Sequence, residues 1–107
     1  MAGVEEAAIA PILSWRAGFA KELIRFLSVV WQTKSVKRIG YTFDDEQLDL
    51  WVVLREDAPE DEDMKRIILA DRDFRRAVGG APMDLHISRL SRVKEENLPP
   101  SDVIFER

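Results

Sequence analysis

Apolar residues recur at helical spacing between Ile12 and Trp31, through Trp15, Phe19, Leu23, Phe26, Leu27 and Val30. Arg16, Lys21, Glu22 and Arg25 fall on the opposite side. The pattern predicts one core-facing amphipathic helix over 12–32. Pro11 suits its first turn, where a missing N–H costs nothing, and residues 1–11 read as an N-terminal extension. The period then changes from helical to two. Ile39, Tyr41 and Phe43 alternate onto one face, and so do Leu48, Leu50, Val52 and Leu54, with Gln47, Asp49, Trp51 and Val53 on the other. Only the acidic Asp44-Asp45-Glu46 separates the two runs, so they form an antiparallel hairpin over 36–54.

An acidic loop follows the hairpin, and Asp57-Ala58-Pro59-Glu60 has capping-box spacing at its end. Carboxylates there complement the positive end of a helix dipole, which explains them without a cation. The spacing also lacks the central Gly of an EF-hand. Met64, Ile67, Ile68, Phe74, Ala77 and Val78 continue a helix over 58–78, closed by Gly79-Gly80. Beyond Pro82 the alternation returns. Met83, Leu85 and Ile87 turn inward while Asp84, His86 and Ser88 turn outward, giving a strand over 83–90. The order is helix, strand, strand, helix, strand. A strand that returns through a helix makes a small mixed sheet of three strands. This is an α+β domain with its helices mainly on one face of the sheet. Residues 91–107 form a C-terminal segment that ends in the apolar Val103-Ile104-Phe105; either it folds back over Trp51 or pairs as a further strand, leaving a monomer, or the face of Trp51 stays open to a second copy or a protein partner.

Composition removes several chemistries. With 107 residues the chain fits one domain. No Cys and a single His exclude disulfides, thiolate zinc, Cys nucleophiles and multi-His metal centres. No apolar run approaches the roughly 20 residues that span a bilayer, and Glu5 and Glu6 have the wrong charge for a signal peptide. The chain reads as cytoplasmic, with no membrane association. Net charge is −4, distributed in blocks: basic over 1–40, acidic over 41–64, basic over 65–94 and acidic over 95–107. Alternating blocks favour protein contacts or self-association over nucleic acid.

This order resembles the minimal nucleotidyltransferase fold, the small relatives of DNA polymerase beta, over residues 20–107. The first family strand is similar to Val36-Lys37-Arg38-Ile39-Gly40-Tyr41. The second begins with a carboxylate before an apolar run, as in Asp49-Leu50-Trp51-Val52-Val53-Leu54, and the third carries the carboxylate of Met83-Asp84-Leu85. Members often close on a segment like Asp102-Val103-Ile104-Phe105-Glu106-Arg107. The resemblance implies that Asp49 and Asp84 are vestigial metal-ligand positions. It also exposes two departures. Active members place Gly-Ser after the first strand, where backbone amides cradle phosphate; here Phe43-Asp44 stands in that place. Where the second strand should offer paired carboxylates, this chain offers Gln47 and Asp49.

Losing a metal ligand together with the phosphate cradle removes what phosphoryl transfer needs. The resemblance therefore implies a catalytically degenerate member with no catalytic residue, no cofactor and no metal. Such a module acts through protein contacts, in an antitoxin-like or regulatory role, with a second copy or a small helical protein as partner. Two alternatives stand beside it: an active Mg²⁺-dependent nucleotidyltransferase with an atypical metal site, and an unrelated small αβ domain. Asp49, Asp84 and His86 are expected on one face of the sheet. Leu48, Leu50, Val52, Met83, Leu85 and Ile87 are expected under the helices. Trp51, Val53 and Phe105 are the interface candidates, because aromatic and apolar residues dominate interface cores.

Overall fold

The two alternating runs become β1 (Val36–Asp44) and β2 (Gln47–Leu54), an antiparallel hairpin that pairs Asp44 with Gln47 and Tyr41 with Leu50. Asp45 turns the chain at φ 57°, a left-handed value that short polar side chains tolerate. The computed structural model describes residues 6–57, 62–79 and 83–107. Within them the fold is a small α+β domain of three α-helices and a four-stranded mixed sheet.

The helical stripe at the start is broken into two. α1 spans Glu6–Trp15, a 3₁₀ turn covers Ala17–Phe19, and α2 spans Ala20–Gln32. This corrects the single helix over 12–32 and the extension over 1–11, since Pro11 lies inside α1. The break falls at Gly18, which costs about 1 kcal/mol in a helix interior relative to Ala. Phe19 N–H turns back to the Arg16 carbonyl at 2.8 Å. Splitting the stripe lets Ile9 and Ile12 of α1 join Leu23, Leu27 and Val30 of α2 in one core.

α3 spans Glu62–Val78 and packs against α2, with the Phe26 and Phe74 ring centroids 5.8 Å apart. Ile67 and Phe74 are buried, whereas Ile68 is 48% exposed and Ala77 is also exposed. Those two expected core positions lie off the buried stripe of the helix. The Ser35 hydroxyl donates to Asp63, tying the first turn of α3 to the corner before β1. Gly79 ends the helix at φ 69°, with its N–H on the Arg75 carbonyl at 3.0 Å, a left-handed stop that Gly adopts without strain. Residues 58–60 of the expected capping box, and Gly80, lie outside the described residues.

β3 (Met83–Arg89) runs parallel to β2, pairing Leu48 with Met83, Asp49 with Asp84, Leu50 with Leu85 and Trp51 with His86. Leu90 follows the strand and donates its N–H to the Leu54 carbonyl at 3.0 Å. The sheet has four strands rather than three. β4 (Asp102–Glu106) pairs antiparallel with the outer edge of β1, giving the order β3-β2-β1-β4. Its apolar run is only three residues long, too short for periodicity to separate a strand from a loop.

Residues opposite one another share a face, so Ile39, Leu48, Leu50, Val52 and Met83 all point into the cluster formed with the three helices, and all are buried. Full burial of each such side chain contributes roughly 1.5–3 kcal/mol. Leu85 and Ile87 pack against the same cluster while partly exposed. Arg107 closes the fold. Its guanidinium donates to the carbonyls of Trp31 at 2.5 Å, Thr33 at 2.9 Å, Lys34 at 3.1 Å and Val36 at 2.8 Å. A cation there complements the negative C-terminal end of α2.

Candidate functional site

Each residue that faces the core leaves its two neighbours on the sheet's other face. That face carries Thr42 from β1, Gln47, Asp49, Trp51 and Val53 from β2, and Asp84, His86 and Ser88 from β3. The parallel register sets Asp49 directly beside Asp84 and Trp51 beside His86. Like charges directly opposite on paired strands destabilise a sheet, so the carboxylates need compensation.

Two side chains supply it. Gln47 Nε2 donates to Asp84 Oδ2 at 2.8 Å and to Asp49 Oδ1 at 3.3 Å. His86 Nε2 lies 2.9 Å from Asp49 Oδ1; against an ionised carboxylate it is the N–H donor. Asp49 keeps 15% of its side chain exposed and His86 38%, while Asp84 is exposed. The Trp51 and His86 rings stack at a centroid distance of 4.1 Å and an interplanar angle of 13°. Trp51 Nε1 donates to Thr42 Oγ1 at 3.0 Å, which fixes the indole and, through the stack, the imidazole plane.

The expected polar trio Asp49, Asp84 and His86 is therefore brought together, with one ligand atom from each lying within 4.8 Å of the others. Gln47 is the partner that sequence reasoning undervalued. It counted as an absent carboxylate, whereas it is a present donor. The signal was its alternation with Asp49, two residues apart on one face. The Trp51–His86 stack required the register between β2 and β3, which neither strand alone reveals.

Phe43 is 42% exposed and packs edge-on against Tyr41 at 5.4 Å. β1 passes into β2 through a tight turn with no helix between them, so the connection that follows Phe43-Asp44 does not open a helix. The end of α1 holds this turn, with Trp15 Nε1 donating to the Glu46 carbonyl at 2.7 Å and Arg16 3.4 Å from the Glu46 carboxylate.

The three interface candidates separate. Trp51 is half-buried, Val53 is 4% exposed and Phe105 is 7% exposed. Phe105 is buried because β4 joins the sheet and Arg107 lies 5.0 Å over its ring. Val53 sits opposite Arg38. Arg38 pairs with Glu95 at 3.2 Å and with Glu106 at 3.6 Å, so the connection from β3 to β4 is tied to this face. Only Trp51 retains area for a partner. More exposed apolar side chains lie elsewhere, at Phe43, at Val103, and at Ile68 and Leu69 of α3. Phe26, Val29, Ala70 and Ala77 line a groove between α2 and α3, and Leu69 flanks it beside Val29 and Ala70.

No protein-family model, curated protein or solved structure matches the chain. No helix among the described residues is long and apolar enough to cross a membrane.

Proposed function

We propose that the chain is a nucleotidyltransferase-like module that does not transfer nucleotides and acts through protein contacts, in a regulatory or antitoxin-like role. The observation that carries this reading is the position of the Gln47 amide, which donates to both Asp49 and Asp84. Phosphoryl transfer depends on carboxylates free to hold Mg²⁺ against phosphate oxygens. Here the two carboxylates are occupied by an internal donor. The turn that replaces the phosphate cradle carries Asp44, Asp45 and Glu46, whose charge repels a triphosphate. The exposed Leu69 beside the α2–α3 groove supplies apolar area of the kind that protein contacts use. A second copy or a small helical protein is the partner this reading expects.

The convergence of Asp49, Asp84 and His86 favours a second reading, an active Mg²⁺-dependent enzyme with an atypical site. Calorimetric titration with nucleoside triphosphate and Mg²⁺ separates the two. The proposal expects no saturable heat at micromolar concentrations. A saturable heat that Asp49→Ala abolishes restores the enzyme.

A further inference from the structure

We propose that the outer edge of β3 is a self-association surface, on which a second copy of the chain pairs antiparallel about a two-fold axis at His86. The inference rests on the protein-contact reading above and gives it a partner and a surface. β3 ends the strand order β3-β2-β1-β4, and among the described residues no strand pairs with its outer side. An edge strand presents a row of unpaired N–H and C=O groups, which proteins usually blunt with short length, Lys, Pro or a bulge. β4, the opposite edge, has five residues and a register shift against β1. β3 has seven, with neither Lys nor Pro and a continuous register along β2.

The core is also unfinished along this edge. Leu50 and Val52 of β2 are buried, whereas Leu85 and Ile87, on the same face of β3, remain partly exposed. α3 adds a third apolar side chain. Arg75 Nη2 donates to the Met83 carbonyl at 2.5 Å, so the flank of α3 that carries Arg75 lies beside the start of β3. Ile68 stands two turns before Arg75 on that flank, away from the Ala70, Phe74 and Ala77 side that faces α2. Seven helical residues rise about 10.5 Å, the length of about three strand residues. α3 joins two parallel strands and so runs back against them, which sets the exposed Ile68 above the level of His86. A partner that covers this edge must offer a strand of the same alternation with an apolar helix flank above it. This chain offers both. With the axis at His86, Leu85 of each copy lies opposite Ile87 of the other, and Ile68 meets its own counterpart above them. The same rotation sets Lys65 against Asp71 of the second copy, beside the Asp71–Arg75 pair, so opposite charges meet. On the open face Asp84 lies opposite Ser88 rather than opposite a second carboxylate, and His86 meets its own copy.

The test is sedimentation of the whole chain from micromolar to millimolar concentration, with hydrogen exchange over β3. The expected result is a reversible dimer of twice 12.3 kDa, in which β3 amides gain protection as concentration rises. Ile68→Lys should weaken association about tenfold or more, because it buries charge at the axis, while circular dichroism remains native. Leu69→Lys, equally exposed but beside the α2–α3 groove, should leave association unchanged. The chain has no Cys, so His86→Cys should give a disulfide-linked dimer under mild oxidation and Asp84→Cys should not. Residues directly opposite in an antiparallel pair have Cβ atoms about 4.5–5.5 Å apart, close to disulfide reach. A monomer throughout the range overturns the inference. A dimer that Leu69→Lys breaks and Ile68→Lys spares overturns it equally, as does cross-linking through Asp84→Cys in preference to His86→Cys. A dimer of the expected kind that also gives saturable heat with nucleoside triphosphate and Mg²⁺ supports the inference and overturns the non-enzymatic reading.

Discussion

Replacing Gln47 with Ala isolates the strain that its amide relieves. Asp49 and Asp84 stand side by side in the β2–β3 register, with ligand oxygens within 4.8 Å. Two unit charges at that distance repel by about 1 kcal/mol in bulk water and about 3.5 kcal/mol at an effective dielectric constant of 20. Asp84 is exposed, so solvent screening selects the low end. Gln47→Ala leaves that repulsion in place and removes the two hydrogen bonds that offset it, worth about 1 kcal/mol after the same discount. The variant should therefore be less stable by about 1 kcal/mol, a fall in melting temperature of about 4–8 °C. Thermal and urea unfolding at low and high salt measure it, and the unrelieved repulsion should be screened as salt rises. Adding Asp84→Asn to Gln47→Ala should recover much of the loss, because the two changes are coupled. A Gln47→Ala protein as stable as wild type at low salt refutes the reasoning. So does a loss that Asp84→Asn leaves untouched.

Three further outcomes follow from the packing. A Cβ on Gly40 would meet Ser101 Oγ at 2.2 Å and the Asp102 carbonyl at 3.2 Å, so Gly40→Ala should cost about 1–3 kcal/mol in urea unfolding, and Ser101→Gly should return part of it. Arg107→Ala removes the guanidinium that donates to four carbonyls around the end of α2, of which Thr33 keeps the Val36 N–H; a loss of about 1–3 kcal/mol is expected, with faster hydrogen exchange in the last turn of α2. Burial, and then the nearby Asp102 charge, raise the Tyr41 phenol above its ordinary 10.0. The folded state thus resists losing that proton, so stability is full below pH 10 and falls as pH rises through the folded value. Tyr41 is the only tyrosine, and ultraviolet titration should place its midpoint above 10 in the native protein and nearer 10 in Asp102→Asn.

Much of the fold was legible because alternation with period two leaves few choices. Leu48, Leu50 and Val52 could share a buried face only if Asp49 took the other, and Met83 and Asp84 repeat the constraint on β3. The hairpin and the pairing of faces followed from that. The α1–α2 break was not legible, since Ile12, Trp15 and Phe19 continue a helical stripe whether or not the backbone bends at Gly18. β4 was legible only as one of several outcomes, for a different reason. Val103-Ile104-Phe105 becomes a strand only by pairing with β1, a contact that local pattern does not encode. At the site, residue identity located Asp49, Asp84 and His86, but the role of Gln47 depends on side-chain rotation. Phe105 looked like interface because its cover, Arg107, acts through its own fold-back onto α2.

The central claim is that an internal amide occupies the carboxylate pair. A crystal structure grown without divalent cations tests it most directly. The account predicts Gln47 Nε2 within hydrogen-bond reach of both Asp49 and Asp84, near the 3.3 Å and 2.8 Å seen here, with His86 on Asp49 and stacked against Trp51. Gln47 turned away to solvent with the two carboxylates bare, or Asp49 and Asp84 on opposite faces of the sheet, would contradict it.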